Sequence, residues 1–421
     1  MKCINKKYIW IVTLSILAAS LISISIFQSS HAAQGPRHQI SPLEPDSFIW
    51  GVYYPNQLMT LLQTEFNDTR TVYGGSEPFS HLEDDPRLLT LFAGYGFSIE
   101  YNDDRGHWNT IEDVEGTARV NEKTPGTCYS CKSSNNPSLW QEIGMAEYDS
   151  TPFATLGESI EFPIGCANCH DSRTMKLIVT NPALETALEA QGIDWTSFTR
   201  QEMRTVVCAN CHVEYYFAGA GKYLTFPWVN GQDIEDIAVY YQEVGFTDWT
   251  HPDSGAAMIK MQHPDYETFT NDSPHFNAGV ACADCHMPYV TGGAQKYSTH
   301  DVKSPLLYSE SDSPCSRCHK NVEEVLSQVA IIQDEVHSQM MATEDALLAV
   351  IEEIELAALA GGDPDLLAQA RNLHREAQLR WDFVAAENSM GFHNPDYAME
   401  TLIKAAQLAH RAEVLAVRSQ D

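Results

Sequence analysis

Basic residues are scarce in this sequence of 421 residues. It has 26 lysines and arginines against 57 aspartates and glutamates, which gives a net charge of −31 with histidine neutral. Binding to a nucleic-acid backbone requires clustered basic side chains, so nucleic acid is excluded as a partner. The same charge repels small anions unless a local group of cations overrides it.

The N-terminus carries the one long apolar run. Lys2, Lys6 and Lys7 precede twenty uncharged, mostly apolar residues, 8–27, and small residues lead up to Ala32. This pattern predicts an export signal over residues 1–32, either cleaved after Ala32 or retained as a membrane anchor. In both cases the bulk of the chain is exported, and we expect it in the periplasm.

Unpaired cysteines are lacking beyond that signal. Of the 11 cysteines, Cys3 lies in the signal, and the others form five C-x-x-C pairs, four of them followed by histidine. Two thiols at this spacing can add to the two vinyl groups of one haem, and the next side chain then lies beneath the iron as an axial ligand. The pairs are Cys128/Cys131, Cys166/Cys169, Cys208/Cys211, Cys282/Cys285 and Cys315/Cys318.

The side chain after each pair is the expected proximal ligand. Four are His170, His212, His286 and His319, and after the first pair it is Lys132. A lysine can ligate iron through its neutral amine if its surroundings lower its pKa. We therefore predict five haems. The alternatives are a lone disulfide or vestigial site at the first pair, and zinc sites or disulfides throughout.

Four irons with two histidine ligands need four further histidines. The sequence offers more than enough, so counting does not select the ligands: His81, His107, His251, His263, His275, His300, His337, His374, His393 and His410.

Long amphipathic segments are also lacking before residue 320, where haems would supply much of the core. From Val322 to Ile354, apolar side chains recur every three or four residues, which predicts a long helix. Gly361–Gly362 ends it, Asp363–Pro364 begins a second helix that runs to about Glu387, and Asn394–Pro395 begins a third that ends near Arg418.

These patterns predict a mainly α fold: a multihaem cytochrome c with little regular sheet, a haem-packed core and long C-terminal helices. We expect a pentahaem domain over residues 33–320 and a helical region over residues 321–421. The long helices either pack within the chain or form a subunit interface.

Several motifs occur together with the lysine variant: "CYSCK", "CANCHVEYY", "KMQHP", "CADCHMP" and "FHNP". In this order they resemble the pentahaem cytochrome c nitrite reductases, which form ammonia from nitrite, and the resemblance spans essentially the whole mature chain. It implies that Lys132 is the proximal ligand of the catalytic haem, whose other face is open to substrate. It also implies catalytic roles for Arg119, Tyr215 and His263, with Arg105 as the alternative arginine.

The resemblance further implies a calcium ion beside the catalytic haem. Its ligands would be the Glu214 carboxylate, the Tyr215 and Lys260 carbonyls and the Gln262 side-chain oxygen, all hard donors of the kind calcium prefers. From the residues alone, Glu214 is instead expected to be a solvated surface acid.

The resemblance also selects the distal histidines. The implied pairs are His170 with His300, His212 with His107, His286 with His393, and His319 with His275. The remaining histidines, His81, His251, His337, His374 and His410, are expected to be structural or on the surface.

Reduction of nitrite to ammonium consumes six electrons and eight protons, so several haems would relay electrons to one reactive iron. By analogy, a membrane quinol dehydrogenase or a small cytochrome would supply the electrons, and the long helices would form a homodimer. Two alternatives stay open: a non-catalytic electron-transfer cytochrome with every iron closed by two ligands, and a reductase of hydroxylamine, nitric oxide or sulfite.

Overall fold

The structure, a computed structural model, describes residues 40–103, 105–293 and 295–421. The predicted export signal, residues 1–32, lies outside the described residues. Within the described ranges helices dominate, and strands occur only as three two-stranded antiparallel sheets. No helix in these ranges is both long and apolar enough to cross a bilayer. The prediction of a mainly α fold is confirmed.

Short helices form most of the chain up to residue 320. In chain order they are α1 (Ser47–Gly51), α2 (Pro55–Leu61), α3 (His81–Asp84), α4 (Leu88–Leu91), α5 (Thr110–Gly116), α6 (Asn136–Ile143), α7 (Met145–Ser150), α8 (Phe153–Gly157), α9 (Pro182–Ala190), α10 (Arg200–Val206), α11 (Ile234–Val244), α12 (Asp265–Thr270), α13 (Pro274–Asn277) and α14 (Cys282–His286).

The three sheets are short hairpin-like pairs. Strand β1 (Tyr216–Ala218) pairs with β2 (Tyr223–Thr225), β3 (Trp249–Thr250) with β4 (Ala257–Met258), and β5 (Tyr289–Gly292) with β6 (Gln295–Ser298). The β1–β2 pair begins directly after Tyr215, with Tyr216 opposite Thr225. It therefore fixes the chain that follows the third cysteine motif.

Three long helices end the chain: α15 (Val322–Leu359), α16 (Pro364–Ala385) and α17 (Pro395–Arg418). Asp363 caps α16 by accepting hydrogen bonds from the amides of Asp365 and Leu366, at 2.9 and 3.0 Å. Gly361 has a φ of 79°, a conformation that suits glycine and ends α15. The three predicted helices are confirmed, with α16 ending at Ala385 rather than at Glu387.

The apolar stripe of α15 packs within the chain. Leu347, Val350 and Ile354 are fully buried against α16 and α17. Trp381 of α16 packs in turn with Phe92, just after α4. The helical region is thus continuous with the core around the cysteine motifs, and α16 passes close behind them.

Candidate functional site

Each cysteine motif lies on a single tight turn. Four pairs begin on or within 3₁₀ turns, at Gly126–Tyr129, Cys166–Asn168, Cys208–Asn210 and Pro314–Arg317, and the fourth pair in chain order lies on α14. In three motifs the histidine N–H donates to the carbonyl of the first cysteine, at 3.0 Å for His170, 2.9 Å for His212 and 2.9 Å for His319. Such a turn brings residues three apart to the same side, so both thiols can reach one ligand.

All ten cysteines of the described residues are free thiols, so none of the pairs is a disulfide. They line one continuous cavity of about 2690 Å³. A typical small-molecule pocket measures roughly 300–1,000 Å³. The cavity therefore has room for several large apolar groups, as expected if each pair carries a haem.

The cysteine pairs follow one another through the cavity. Cys131 lies beside Cys211, and Cys208 lies beside Cys282. The first pair therefore adjoins the third, and the third adjoins the fourth. The second pair lies beside the third, and the fourth beside the fifth.

Histidines face one another across this cavity in pairs. The ring centroids are 6.2 Å apart for His170 and His300, 6.2 Å for His286 and His393, and 6.4 Å for His275 and His319. A metal–imidazole bond is about 2.0 Å long and a ring nitrogen lies roughly 1.1 Å from the centroid, so two imidazoles on opposite sides of one metal have centroids about 6.2 Å apart. The three spacings match this value, and the donor set fits haem.

His107 and His212 form the fourth predicted pair. Burial lowers the pKa of His107 to about 4, and the neighbouring His212, His300 and Lys132 act in the same direction. The structure therefore brings three of the predicted histidine pairs face to face, and it places His212 and His300 among the electrostatic neighbours of His107.

Lys132 lines the same cavity beside its own cysteines. Arg119, Tyr215 and His263 line it as well. Arg119 and Lys132 are both close enough to Cys128 to lower the pKa of its thiol, although burial raises that pKa to about 11. Tyr215 is likewise an electrostatic neighbour of Arg119 and of both cysteines of the first motif.

The two candidate arginines differ in their partners. Arg105 is bound by acids, with its Nη2 2.5 Å from Asp113 and 3.3 Å from Glu112. The Arg119 guanidinium lies 4.1 Å from the centroid of Phe97, and its Nε donates to Thr117 at 3.2 Å. Neither of these contacts neutralises its charge. Arg119 is therefore the better placed of the two to attract an anion into the cavity.

Glu214 is fully buried rather than solvated, which corrects the expectation from its residue type. Its Oε1 accepts from the Tyr241 hydroxyl at 2.6 Å, and its Oε2 accepts from the Gln262 amide N–H at 2.7 Å. Burial raises the pKa of Glu214 well above its usual range. A carboxylate in such a place normally requires a paired charge or a metal ion.

The other calcium candidates lie beside Glu214. The Gln262 side-chain amide is 3.1 Å from the Lys260 carbonyl oxygen. Tyr215 follows Glu214 in the chain and brings its carbonyl to the same segment. Carboxylate, carbonyl and amide oxygens are the donors that calcium prefers, so the residues present fit this ion.

A buried ion pair holds this segment against α16. Lys260 Nζ donates to Asp382 at 2.8 Å, and Asp382 also accepts the Met261 N–H at 2.7 Å. The ammonium lies 4.9–5.3 Å from the centroids of Phe92, Phe97 and Tyr101. The Lys260 side chain is therefore structural.

Sequence reasoning missed Asp265, two residues after His263. It is 8% exposed and accepts from His212 Nδ1 at 3.1 Å. Burial raises the pKa of Asp265, but the hydrogen bond and charge of His212, with a contribution from His393, outweigh burial and lower it below the usual range. No spacing signal in the sequence links Asp265 to either histidine.

The remaining histidines include His81 and His337, which line the cavity, and a buried contact between His251 and His374, whose ring centroids are 5.8 Å apart. His251 and His374 are fully buried, and His374 bonds Ser254 at 3.1 Å and Gln378 at 3.0 Å. His410 is exposed on α17. These positions agree with structural or surface roles.

Known proteins share this fold and these motifs. The sequence model of the cytochrome c552 family matches residues 46–420. Cytochrome c-552 from Parabacteroides distasonis is 41% identical over 369 residues, which cover 86% of this chain and 74% of the relative. Cytochrome c-552 from Bacteroides fragilis is 39% identical over 393 residues, which cover 91% and 78%.

A solved structure is also similar along most of its length. It is the cytochrome c nitrite reductase from Desulfovibrio desulfuricans, whose catalytic subunit has two calcium sites. The TM-score is 0.87 with 34% sequence identity, and the match covers 91% of this chain and 88% of that one.

Proposed function

The chain belongs to the cytochrome c552 family, and we propose on that basis that it is an ammonia-forming nitrite reductase with one catalytic haem and four electron-relaying haems. One observation carries the proposal. Three pairs of histidines face one another at the spacing expected of two ligands of one metal, and Lys132 of the first motif lines the same cavity as Arg119, Tyr215 and His263.

The cofactors are five covalently bound c-type haems and a calcium ion. The cysteine pairs would hold the haems by thioether bonds, and Lys132 would be the protein ligand of the catalytic one. His170 and His300 would bind the second iron, and His212 and His107 the third. His286 and His393 would bind the fourth iron, and His319 and His275 the fifth. The centroid spacings of 6.2–6.4 Å support three of these assignments.

When bound, the haems supply the relay of six electrons and one open iron for nitrite. The chain supplies binding and protons. Arg119 attracts the anion against the overall charge of −31, because its guanidinium lies over an aromatic ring and forms no ion pair with a carboxylate of the described residues. It also donates hydrogen bonds to substrate oxygen, which favours departure of that oxygen as water.

His263 and Tyr215 deliver protons. Both line the cavity, and Tyr215 lies near the two cysteines of the first motif. Burial raises the pKa of Tyr215 well above 10, so its hydroxyl remains a proton donor at neutral pH. His263 follows directly after Gln262, and the calcium-binding segment therefore positions this imidazole.

The calcium ion has two tasks. It compensates the buried charge of Glu214, and it adds a positive charge near the substrate. The ligands are the Glu214 carboxylate, the Tyr215 and Lys260 carbonyls and the Gln262 side-chain oxygen. The full burial of Glu214 supports this assignment.

We further propose an exported, periplasmic enzyme. A membrane quinol dehydrogenase or a small cytochrome would donate its electrons. The C-terminal region of residues 321–421 would form a homodimer. Exposed apolar side chains on the outer faces of α15 and α17 support this last point: Ile331, Leu356, Leu359, Ile403, Val414 and Val417.

The direct test is nitrite-dependent oxidation of a reduced viologen dye by the purified holoprotein, with ammonium measured as the product. We expect one ammonium for each six electrons consumed. Lys132→His should retain five haems but alter turnover at the first site. Dye oxidation without ammonium would refute the proposal, and undiminished turnover of Lys132→His would remove the assigned importance of lysine.

A further inference from the structure

The axial histidines differ in the acceptor that faces their Nδ1 atom. Three of them meet neutral backbone carbonyls: Met175 at 3.1 Å from His170, Lys303 at 3.1 Å from His286, and Ser298 at 3.0 Å from His300. His212 and His393 meet carboxylates instead. Since the Nε2 atom faces the iron in this arrangement, Nδ1 carries the proton and donates it.

Asp265 lies between these last two imidazoles. Its Oδ2 is 3.1 Å from His212 Nδ1, and its Oδ1 is 3.7 Å from His393 Nδ1. The backbone N–H and side-chain amide of Asn388 donate to the same carboxylate at 2.9 and 2.8 Å. The carboxylate is therefore held in place by three donors.

Glu387 contacts only the second imidazole of this pair. Its carboxylate lies in close contact with His393 Nδ1. The backbone N–H of Ser389 donates to it at 3.0 Å and that of Gly391 at 3.2 Å. His393 therefore faces two carboxylates, and His212 faces one.

The acceptor on Nδ1 matters for the metal. An imidazole that donates to a carboxylate is a more basic ligand than one that donates to a carbonyl, because the hydrogen bond is charge-assisted and draws the proton away. A more basic ligand and a nearby negative charge both favour the ferric state, which lowers the reduction potential of the haem.

We propose that Asp265 is a positioning residue shared by two neighbouring haems, and that its carboxylate lowers both of their reduction potentials together. The haems are those carried by Cys208/Cys211 and by Cys282/Cys285, which adjoin one another. The inference rests on the proposed haem ligation but not on the identity of the substrate. The haem carried by Cys208/Cys211 also adjoins the first cysteine motif. Its low potential therefore keeps it a strong reductant next to the reactive iron.

The test is an anaerobic spectroelectrochemical titration of the purified holoprotein, with the low-spin haems followed by optical and electron paramagnetic resonance spectra. Asp265→Asn should shift two of the four low-spin haems to more positive potentials. Glu387→Gln should shift one of those two. Asp284→Asn is the control, because this carboxylate lies in the fourth motif but binds Arg204 and Gln201 rather than an imidazole.

Shifts confined to two haems in Asp265→Asn and to one in Glu387→Gln would support the proposal. The proposal would be overturned if Asp265→Asn changed the reduction potential of no haem or of one haem only. An equal change of potential in the Asp284→Asn control would also overturn it. If Asp265→Asn fails to incorporate five haems, Asn388→Ala provides the test instead. It removes a side-chain donor that competes with His212 for the Asp265 carboxylate. It must move the same two haems to more negative potentials, and unchanged potentials would overturn the proposal. Nitrite turnover does not enter this readout.

Discussion

Replacement of Arg119 by alanine should reduce nitrite reduction without loss of haem. The guanidinium lines the cavity, and its described contacts, with Phe97 at 4.1 Å and Thr117 at 3.2 Å, include no acid. It contacts no cysteine motif directly, so five haems should still attach. Nitrite should therefore bind less well and react more slowly at an otherwise intact site.

The size of the effect follows from the environment. Loss of one preorganised donor in a closed site costs about 2.7–4 kcal/mol, or roughly 100- to 1,000-fold in rate. Arg119 is only half-buried, so the lower end of this range applies. We expect kcat/KM for nitrite to fall about 100-fold. KM should rise and kcat should fall, because the arginine binds both the substrate and the departing oxygen.

The assay is steady-state dye oxidation with the haem content of each variant measured in parallel. Arg105→Ala is the matched control, since Asp113 and Glu112 already neutralise that guanidinium. It should retain kcat/KM to within a few-fold. Loss of activity in Arg105→Ala with near-normal activity in Arg119→Ala would refute the assignment of the anion-binding residue.

Three further changes test other parts of the structure. Glu214→Gln should lower the calcium content measured by elemental analysis while five haems remain, and unchanged calcium would contradict the assigned site. Lys260→Met should destabilise the protein to denaturant by about 3–5 kcal/mol because it leaves Asp382 buried and unpaired; the double change with Asp382→Leu should recover much of this loss, and additive losses would contradict the pairing. Burial and the neighbouring Asp85 raise the pKa of Glu344 from 4.5 to about 9. The protonated side chain therefore makes its full contribution to the free energy of unfolding below pH 4.5, and this contribution is lost as the pH rises to about 9. Glu344→Gln should therefore flatten the decline in the free energy of unfolding between pH 5 and 9 by at most about 1.4 kcal/mol for each pH unit, and identical slopes would contradict the raised pKa.

The C-terminal helices could be predicted because their signals are local. The apolar period over Val322–Ile354 and the Asp363–Pro364 and Asn394–Pro395 starts all lie within a few residues of the features they predict. The short helices before residue 320 gave no such signal, because they are only 4–11 residues long and an apolar period has too little length to repeat in them.

The residues of the candidate site likewise fall into two groups, those that a local sequence pattern predicts and those that depend on distant parts of the chain. The cysteines and the side chains that follow them are adjacent in sequence, so one turn of backbone determines their geometry. The partner of His170 is His300, 130 positions later, and no local pattern connects them. Residue type alone placed Glu214 on the surface, whereas the fold buries it fully. Asp265 was missed because its role depends on two imidazoles from distant parts of the chain.

The most direct test of the account is a count of haem spin states in the oxidised resting protein by electron paramagnetic resonance and magnetic circular dichroism. One high-spin haem and four low-spin haems are predicted, since only the iron held by Lys132 keeps a position for substrate. Five low-spin haems would contradict the account and would leave an electron carrier without a catalytic iron.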